Sequence, residues 1–214
     1  MKEQVTVPGI RARKRSRGAE PIVMITAYDA PFARVVDQAD VDIILVGDSL
    51  AEVVLGWEDT LHVGIADLAY HVGAVARSRP QALLVGDMPW LTYHLEASDT
   101  VRNAAILVQA GAHAVKLEGV PDALAERITA EVDIPTIGIG AGPGCDGQVI
   151  VLHDLLGLAG TKVPKFVRRY AELGSAATEA VRDWACDVRE GRYPSEAESY
   201  RASAELREAL GLSS

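Results

Sequence analysis

The chain alternates between short, continuous apolar runs and longer segments in which apolar residues recur at helical spacing. The apolar runs occupy residues 21–29, 42–48, 82–87, 114–118, 135–140 and 148–153. The helical patterns between them occupy residues 30–39, 66–78, 98–110 and 121–131. Short apolar runs bounded by Gly or Asp are typical of strands buried on both faces of a parallel sheet. The alternation therefore predicts an α/β fold with six parallel strands.

The two ends of the chain depart from this alternation. Residues 1–20 form an N-terminal lead-in, and residues 11–17 include five cations. Such a run is typical of an arm that binds nucleic acid or a partner, or of a solvated segment, and the acidic remainder of the chain favours the solvated segment. Residues 165–214 form a tail, with helices predicted over 164–173, 175–190 and 201–210. Without a convincing linker, residues 1–214 are expected to form a single domain.

Composition narrows the class of protein. The 214 residues include 21 Lys and Arg against 30 Asp and Glu, for a formal net charge of −9. This acidity argues against nucleic acid as the main partner, because phosphate binding needs a basic face. No apolar run approaches the ~18 residues that span a bilayer, and the first residues do not resemble a secretion signal. With only Cys145 and Cys186, no disulfide framework is expected, so we expect a soluble, cytoplasmic protein without membrane partners.

Carboxylates end two of the predicted strands in matching positions. Leu45-Val-Gly-Asp48 and Leu84-Val-Gly-Asp87 place Asp48 and Asp87 at the carboxyl ends of their strands. Alternation puts Asp48 on one face with Ile44 and Val46, and Asp87 on one face of its own strand. If the strands are neighbours, the two charges meet, and a hard cation such as Mg²⁺ would neutralise them. The alternative, in which each Asp only caps the following helix, stays open.

A third strand end adds two charged residues. Lys116 and Glu118 are two positions apart, so they share one face of their strand. Because burying a charge is costly unless it is paired, this arrangement indicates either a structural ion pair or a functional one. In the functional interpretation, which we favour, Lys116 binds an anion and Glu118 acts as an acid/base or supports a metal. Tyr28 and Asp29 end the first strand, where they line the pocket or, for Asp29, cap the next helix.

The motifs at these strand ends resemble those of a known family. They occur in order as Thr26-Ala-Tyr-Asp29, Leu45-Val-Gly-Asp-Ser-Leu50, Gly86-Asp-Met-Pro89, Val115-Lys-Leu-Glu-Gly119 and Ile137-Gly-Ile-Gly-Ala-Gly142. The chain is similar over about residues 5–200 to the ketopantoate hydroxymethyltransferases. The resemblance implies a TIM-type (β/α)₈ barrel that forms homo-oligomers. It also implies an enzyme that uses Mg²⁺ and transfers a one-carbon unit from 5,10-methylenetetrahydrofolate to the keto acid 3-methyl-2-oxobutanoate.

The resemblance also assigns roles to individual residues. It implies that Asp48 and Asp87 bind Mg²⁺ and that Glu118 supports the ion through water. Ser49, together with Asp48, would contact the keto acid, Asp87 would face the same substrate, and Lys116 would pair with its carboxylate. In this scheme Mg²⁺ stabilises the enolate that forms when the C3 proton leaves, and the enolate attacks the methylene carbon of the folate.

The chain departs from the family pattern between Lys116 and Pro121. Glu118-Gly119-Val120-Pro121 joins two motifs that a long segment separates in the family. About two βα units, roughly 60 residues, are missing at the usual spacing of a barrel. A second Glu, the family's proton acceptor, is lost or merged with Glu118, so we expect weak or absent turnover. Six strands would then form an open or distorted, incomplete barrel.

Two other functions are compatible with the same residues. One is a keto-acid lyase or aldolase, which would depend on Mg²⁺ or form a Schiff base with Lys116. The other is a degenerate subunit that binds without catalysis.

Overall fold

The computed structural model describes residues 3–14, 18–117, 128–130, 132–160 and 163–203. The strands are β1 (Ile22–Thr26), β2 (Ile43–Val46), β3 (Leu83–Asp87), β4 (Ala114–Lys116), β5 (Ile137–Gly138) and β6 (Gly147–Ile150). The helices are α1 (Val7–Arg11), α2 (Ala30–Gln38), α3 (Leu50–Val53), α4 (Ile65–Ala76), α5 (Ala97–Ala110), α6 (Leu152–Leu155) and α7 (Leu173–Arg189). Contacts divide the chain into two compact units, residues 1–171 and 172–214.

The six strands form one parallel sheet in the order β4-β3-β2-β1-β6-β5. This is the cyclic strand order of a barrel that has been cut open between β4 and β5. The predicted α/β fold with six parallel strands in an incomplete barrel is confirmed as a curled half-barrel. The predicted helix over 121–131 lies largely outside the described residues, although residues 128–130 are helical.

The two faces of the sheet carry separate apolar clusters. On the helix-covered face, Ile44, Val46 and Leu84 pack with residues of α4 and α5 such as Val72 and Leu107. This alternation explains why the strands are apolar throughout, since both faces are covered. The opposite face is buried by Ile22, Met24, Ile43, Leu45, Leu83 and Val85 together with Ile10 of α1.

Local sequence explains where the helices begin and end. Asp29 caps α2, because its Oδ1 accepts a hydrogen bond of 2.8 Å from the amide of Phe32. The capping role predicted as one alternative for Asp29 is therefore present. The carboxyl end of a different helix, α5, is set by Gly111, whose φ of 117° is in the left-handed region.

The N-terminal segment is more closely packed than its composition suggests. Arg13 forms an ion pair with Asp42, at the start of β2. Lys14 is 3% exposed, and its Nζ lies 2.8 Å from Asp146 Oδ2, just before β6. The expectation of a solvated lead-in is therefore wrong for these two residues. The sequence pattern misses this because their partners lie far away in the chain.

The tail differs from its prediction at one point. The predicted helix over 164–173 is wrong: Tyr170 donates its amide to Leu155 O instead of to a carbonyl one helical turn earlier. A Cβ atom added to Gly140 would lie 2.7 Å from the side chain of Phe166. The segment that contains Phe166 therefore covers the loop after β5. The helix predicted over 175–190 is confirmed as α7, and none of its residues is buried. Residues 204–214, which include most of the predicted last helix, lie outside the described residues.

Within the described ranges, no helix combines the length and apolar character needed to cross a bilayer.

Candidate active site

The candidate site lies where β2, β3 and β4 end at the carboxyl edge of the sheet. Asp87 is the last residue of β3 and is 1% exposed. Asp48 follows β2 in a turn that starts at Gly47, and Lys116 is the last residue of β4. Parallel pairing of the three strands brings their carboxyl ends to one edge.

Asp87 is the centre of the hydrogen bonding at this edge. Its Oδ2 accepts a hydrogen bond of 2.9 Å from Lys116 Nζ and a weaker one of 3.3 Å from the amide of Asp48. Its Oδ1 is buried and has no hydrogen-bond partner in the part of the chain that the structure describes. Such an unpaired buried oxygen is uncommon, because buried polar atoms normally have a hydrogen-bond partner, and a bound ligand would supply one.

The electrostatics of Asp87 reflect this environment. Burial raises the pKa of Asp87 to about 6, although the neighbouring Lys116 ammonium acts in the opposite direction and the charge of Asp48 raises it further. A carboxylate that is short of solvent and faces a second carboxylate is suited to bind a cation.

The strand register brings the two aspartates together in a different way from the predicted alternation. Leu45 pairs with Val85, so the register aligns Asp87 with the inner face of the sheet. Ile44 and Val46, which alternation groups with Asp48, instead face the helices. Asp48 reaches Asp87 because β2 ends at Val46 and the following turn redirects the chain. The proximity is as expected, but the reason predicted for it is wrong.

The complete set of predicted metal ligands extends beyond the described residues. Glu118, the third acidic residue of the set, lies outside them. Among residues that are described, no three His, Cys, Asp or Glu side chains are grouped closely enough to hold a metal ion. The metal-binding role of Asp48, Asp87 and Glu118 therefore stays a prediction.

Ser49 is positioned by a buried tyrosine. The hydroxyl groups of Tyr28 and Ser49 are 2.8 Å apart, and Tyr28 is 2% exposed. Burial raises the pKa of Tyr28 to about 12, with the hydrogen bond to Ser49 opposing the shift. A ring nitrogen of His71 lies 2.7 Å from the carbonyl oxygen of Tyr28 and can donate to it. Sequence reasoning gave His71 no role here, because nothing in its spacing connects α4 with β1.

A cavity of about 530 Å³ adjoins Ser49. It lies between the loops that follow β2 and β6, and two carboxylates line it, Glu52 and Asp154. Burial raises the pKa of both groups, and the charges of Asp48 and Asp154 add to the shift of Glu52. Sequence reasoning missed Asp154, although it directly follows the last predicted apolar run, residues 148–153.

Relatives similar to this chain share the name 3-methyl-2-oxobutanoate hydroxymethyltransferase. That of Pelobacter propionicus is 39% identical over 267 residues, which cover 94% of this chain and 98% of the relative. That of Pyrobaculum calidifontis is 40% identical over 259 residues, covering 90% and 97%. The solved structure of 2,3-dimethylmalate lyase is similar at 16% identity, covers 99% of this chain and 96% of its own, and has a TM-score of 0.49. Both sequence alignments exceed the 214 residues of the chain, so each relative has positions that this chain lacks.

The family model described as ketopantoate hydroxymethyltransferase matches in two pieces, residues 4–123 and 107–196. The pieces overlap over residues 107–123, which include Glu118, the position that resembles two separate motifs of the family. A two-piece match agrees with the open sheet, in which no further described strand lies beside β4 or β5. The matched segments and the identity to these relatives show that the chain belongs to the ketopantoate hydroxymethyltransferase family.

Proposed function

We propose that this chain binds 3-methyl-2-oxobutanoate with Mg²⁺ and transfers to it a hydroxymethyl group derived from 5,10-methylenetetrahydrofolate, giving 2-dehydropantoate. The observation that carries the proposal is the buried Asp87, whose unpaired Oδ1 lies at an edge shared with Asp48 and Lys116. The names of the relatives supply the keto acid and the transferred group, and the description of the family supplies the product.

The residues at this edge fit a magnesium ion. Mg²⁺ prefers oxygen ligands, and Asp87 offers a buried carboxylate oxygen that is not engaged elsewhere in the described structure. Asp48 would supply a second carboxylate, and Glu118 would act through water. When bound, the ion supplies Lewis-acid polarisation of the keto acid.

The other side chains would orient the keto acid. Lys116 holds a positive charge at the edge and would pair with the substrate carboxylate, since its ion pair with Asp87 leaves it 29% exposed. Ser49, held by Tyr28, would donate its hydroxyl hydrogen to a substrate oxygen. A base must take the proton from C3, after which C3 forms a bond to the methylene carbon. One of the two carbon–nitrogen bonds of the methylene carbon breaks as the bond to C3 forms, and the second breaks when water supplies the product hydroxyl. Tetrahydrofolate then leaves with both nitrogens protonated, one proton coming from C3 and one from water.

The proposal includes an impaired catalytic step. Glu118 is the candidate for the proton acceptor, but the family pattern needs one Glu beside the metal and another as the base. One carboxylate cannot occupy both places, so we expect proton removal to be slow. The measurement is exchange of the C3 proton of 3-methyl-2-oxobutanoate in D₂O, with and without Mg²⁺, beside formation of 2-dehydropantoate. Turnover as fast as that of the Pelobacter propionicus relative would contradict the impairment.

Metal binding can be tested separately from turnover. Saturating Mg²⁺, at about 100 times its dissociation constant, should stabilise the wild type by about 2.7 kcal/mol in thermal unfolding. Asp87→Asn should lose this response, whereas Asp99→Asn, an exposed acid on α5, should keep it. An equal response in the Asp87 variant would place the ion elsewhere.

One alternative function, binding without catalysis, is supported by an observation. The open sheet and the shortened chain are compatible with a subunit that binds keto acid without turning it over. Binding of Mg²⁺ and keto acid without C3 exchange would support it. The Schiff-base aldolase is disfavoured, because the amine of Lys116 is engaged in an ion pair with Asp87.

The cellular setting completes the proposal. We infer a cytoplasmic protein that acts on small molecules and forms homo-oligomers. Strand edges such as those of β4 and β5 promote association when nothing covers them.

A further inference from the structure

Three hydroxyl groups form a row that leads from the start of α6 to the proposed keto-acid site. Thr26 ends β1 and is 1% exposed, and Tyr28, two residues later, is 2% exposed. The amide of Leu152, the first residue of α6, donates a hydrogen bond of 3.0 Å to Thr26 Oγ1. At the other end, the hydroxyl groups of Tyr28 and Ser49 are 2.8 Å apart. The row therefore begins at a buried backbone donor and ends at Ser49, which lines the cavity of about 530 Å³.

The backbone amide gives this row a direction. An amide N–H can only donate, so Thr26 Oγ1 is the acceptor of the first hydrogen bond, and its single hydroxyl hydrogen remains for another partner. That partner is Tyr28, whose hydroxyl group forms a side-chain hydrogen bond with Thr26. Because Tyr28 accepts from Thr26, its own hydrogen is available to Ser49 Oγ. The hydroxyl hydrogen of Ser49 then points away from Tyr28, since it cannot lie between two oxygens that already share the hydrogen of Tyr28.

Tyr28 is held in place and keeps its proton. A ring nitrogen of His71 lies 2.7 Å from the carbonyl oxygen of Tyr28, and the rings of Tyr28 and His153 pack with their centroids 5.6 Å apart. Burial raises the pKa of Tyr28 to about 12, so the phenol remains protonated near neutral pH. Tyr28 therefore always has a hydrogen to donate to Ser49.

We propose that Tyr28 is a positioning residue: together with Thr26 behind it, it keeps the hydroxyl group of Ser49 as a hydrogen-bond donor toward the keto acid. The inference rests on the proposed function, in which Ser49 contacts this substrate. The carbonyl and carboxylate oxygens of ionised 3-methyl-2-oxobutanoate can only accept hydrogen bonds. A hydroxyl group that rotates freely would lose this freedom on binding, whereas a hydroxyl group that is already directed binds without that cost.

The test is a double-substitution cycle on keto-acid affinity, which does not depend on turnover. 3-Methyl-2-oxobutanoate is titrated by calorimetry, in saturating Mg²⁺, into the wild type, Tyr28→Phe, Ser49→Ala and the double variant. The matched control is Tyr70→Phe, which removes the hydroxyl group of an exposed tyrosine on α4. A second pair of variants, Thr26→Val and Thr26→Ser, removes and retains the hydroxyl group behind Tyr28. Circular dichroism checks that each variant is folded.

We expect Tyr28→Phe and Ser49→Ala each to weaken keto-acid binding about 2- to 10-fold, the effect of one hydrogen bond. In the Ser49→Ala background, Tyr28→Phe should weaken binding no further, because Tyr28 acts through Ser49. Thr26→Val should also weaken binding, whereas Thr26→Ser should restore it. Tyr70→Phe should bind the keto acid like the wild type.

Three results would overturn the inference and leave the proposed function intact. In the first, the wild type binds the keto acid and Tyr28→Phe binds it equally well. In the second, Tyr28→Phe weakens binding by the same factor with and without the Ser49 hydroxyl group, as a purely structural disturbance would. In the third, Thr26→Val and Thr26→Ser bind equally, although the direction of the row starts at that hydroxyl group. A wild type that does not bind the keto acid in Mg²⁺ would instead contradict the proposed function, and the inference with it.

Discussion

Replacing Lys14 with methionine should destabilise the protein by about 3–5 kcal/mol, the cost of leaving one partner of a buried ion pair uncompensated. The Lys14 side chain is 4% exposed and that of Asp146 is 0% exposed, so solvent does not screen the pair. Methionine keeps much of the length and volume of lysine, and the substitution therefore removes the charge with little change in packing.

The magnitude follows from what Asp146 retains. Its Oδ2 lies 2.8 Å from Lys14 Nζ and 2.8 Å from the amide of Thr136, which donates to it. Without the ammonium, the buried negative charge of Asp146 loses its counter-ion, and the carbonyl of Ile134 loses a donor at 3.0 Å. The loss affects the start of β6, which pairs with β1 and β5, and the start of β5, which among the described residues pairs only with β6.

The assay is urea unfolding followed by circular dichroism. The control is Arg102→Met, which removes an ion pair whose side chains are 70% and 46% exposed and should cost less than about 1 kcal/mol. Replacing Lys14 and Asp146 together with apolar residues should recover much of the loss, because no charge is then stranded. A Lys14→Met variant within about 1 kcal/mol of the wild type would refute the reasoning, since the pair would then behave as an exposed one.

Two further substitutions probe the helix end and the site. Gly111→Ala should cost about 3 kcal/mol in thermal unfolding, because φ is 117° and the new Cβ would lie 2.5 Å from that of Ala76. The control is Gly18→Ala, where φ is 83° but no atom lies within 4 Å of the new Cβ, and it should cost about 1 kcal/mol. If both variants lost the same free energy of unfolding, the contact with Ala76 would not be the cause. Tyr28→Phe should cost about 1 kcal/mol by removing the 2.8 Å hydrogen bond to Ser49, and should abolish the phenol that ionises near pH 12 in an ultraviolet titration. A variant as stable as the wild type would show that this bond contributes nothing.

Much of the sheet could be predicted from the order of residues. Runs such as Ile43–Val46 and Leu83–Asp87 form central strands because successive apolar residues face both sides of the sheet, and both sides are covered. The segment after Pro164 was predicted as a helix and is not one. Its backbone and side chains contact the loops after β5 and β6, and such contacts with distant segments override local propensity.

The site was predictable in its residues but not in its geometry. Asp48 and Asp87 stood out because each ends a predicted buried strand, and both lie at the same edge. The alternation of side chains along a strand does not explain this proximity, because it holds only within a strand and Asp48 lies beyond the end of β2. The cavity acid Asp154 becomes apparent only when β1 lies between β2 and β6, an arrangement that hydrogen bonding between strands decides.

The sequence alone determined the α/β class, the family, the absence of two βα units and the candidate carboxylates, because motifs and periodicity are local properties of the chain. Tertiary structure decided the rest. Strand pairing placed β4 and β5 at open edges, and burial turned Lys14 from a surface cation into an internal one. It also left one oxygen of Asp87 without a partner among the described residues. These outcomes depend on which distant segments exclude water from one another, and that is a property of the folded arrangement.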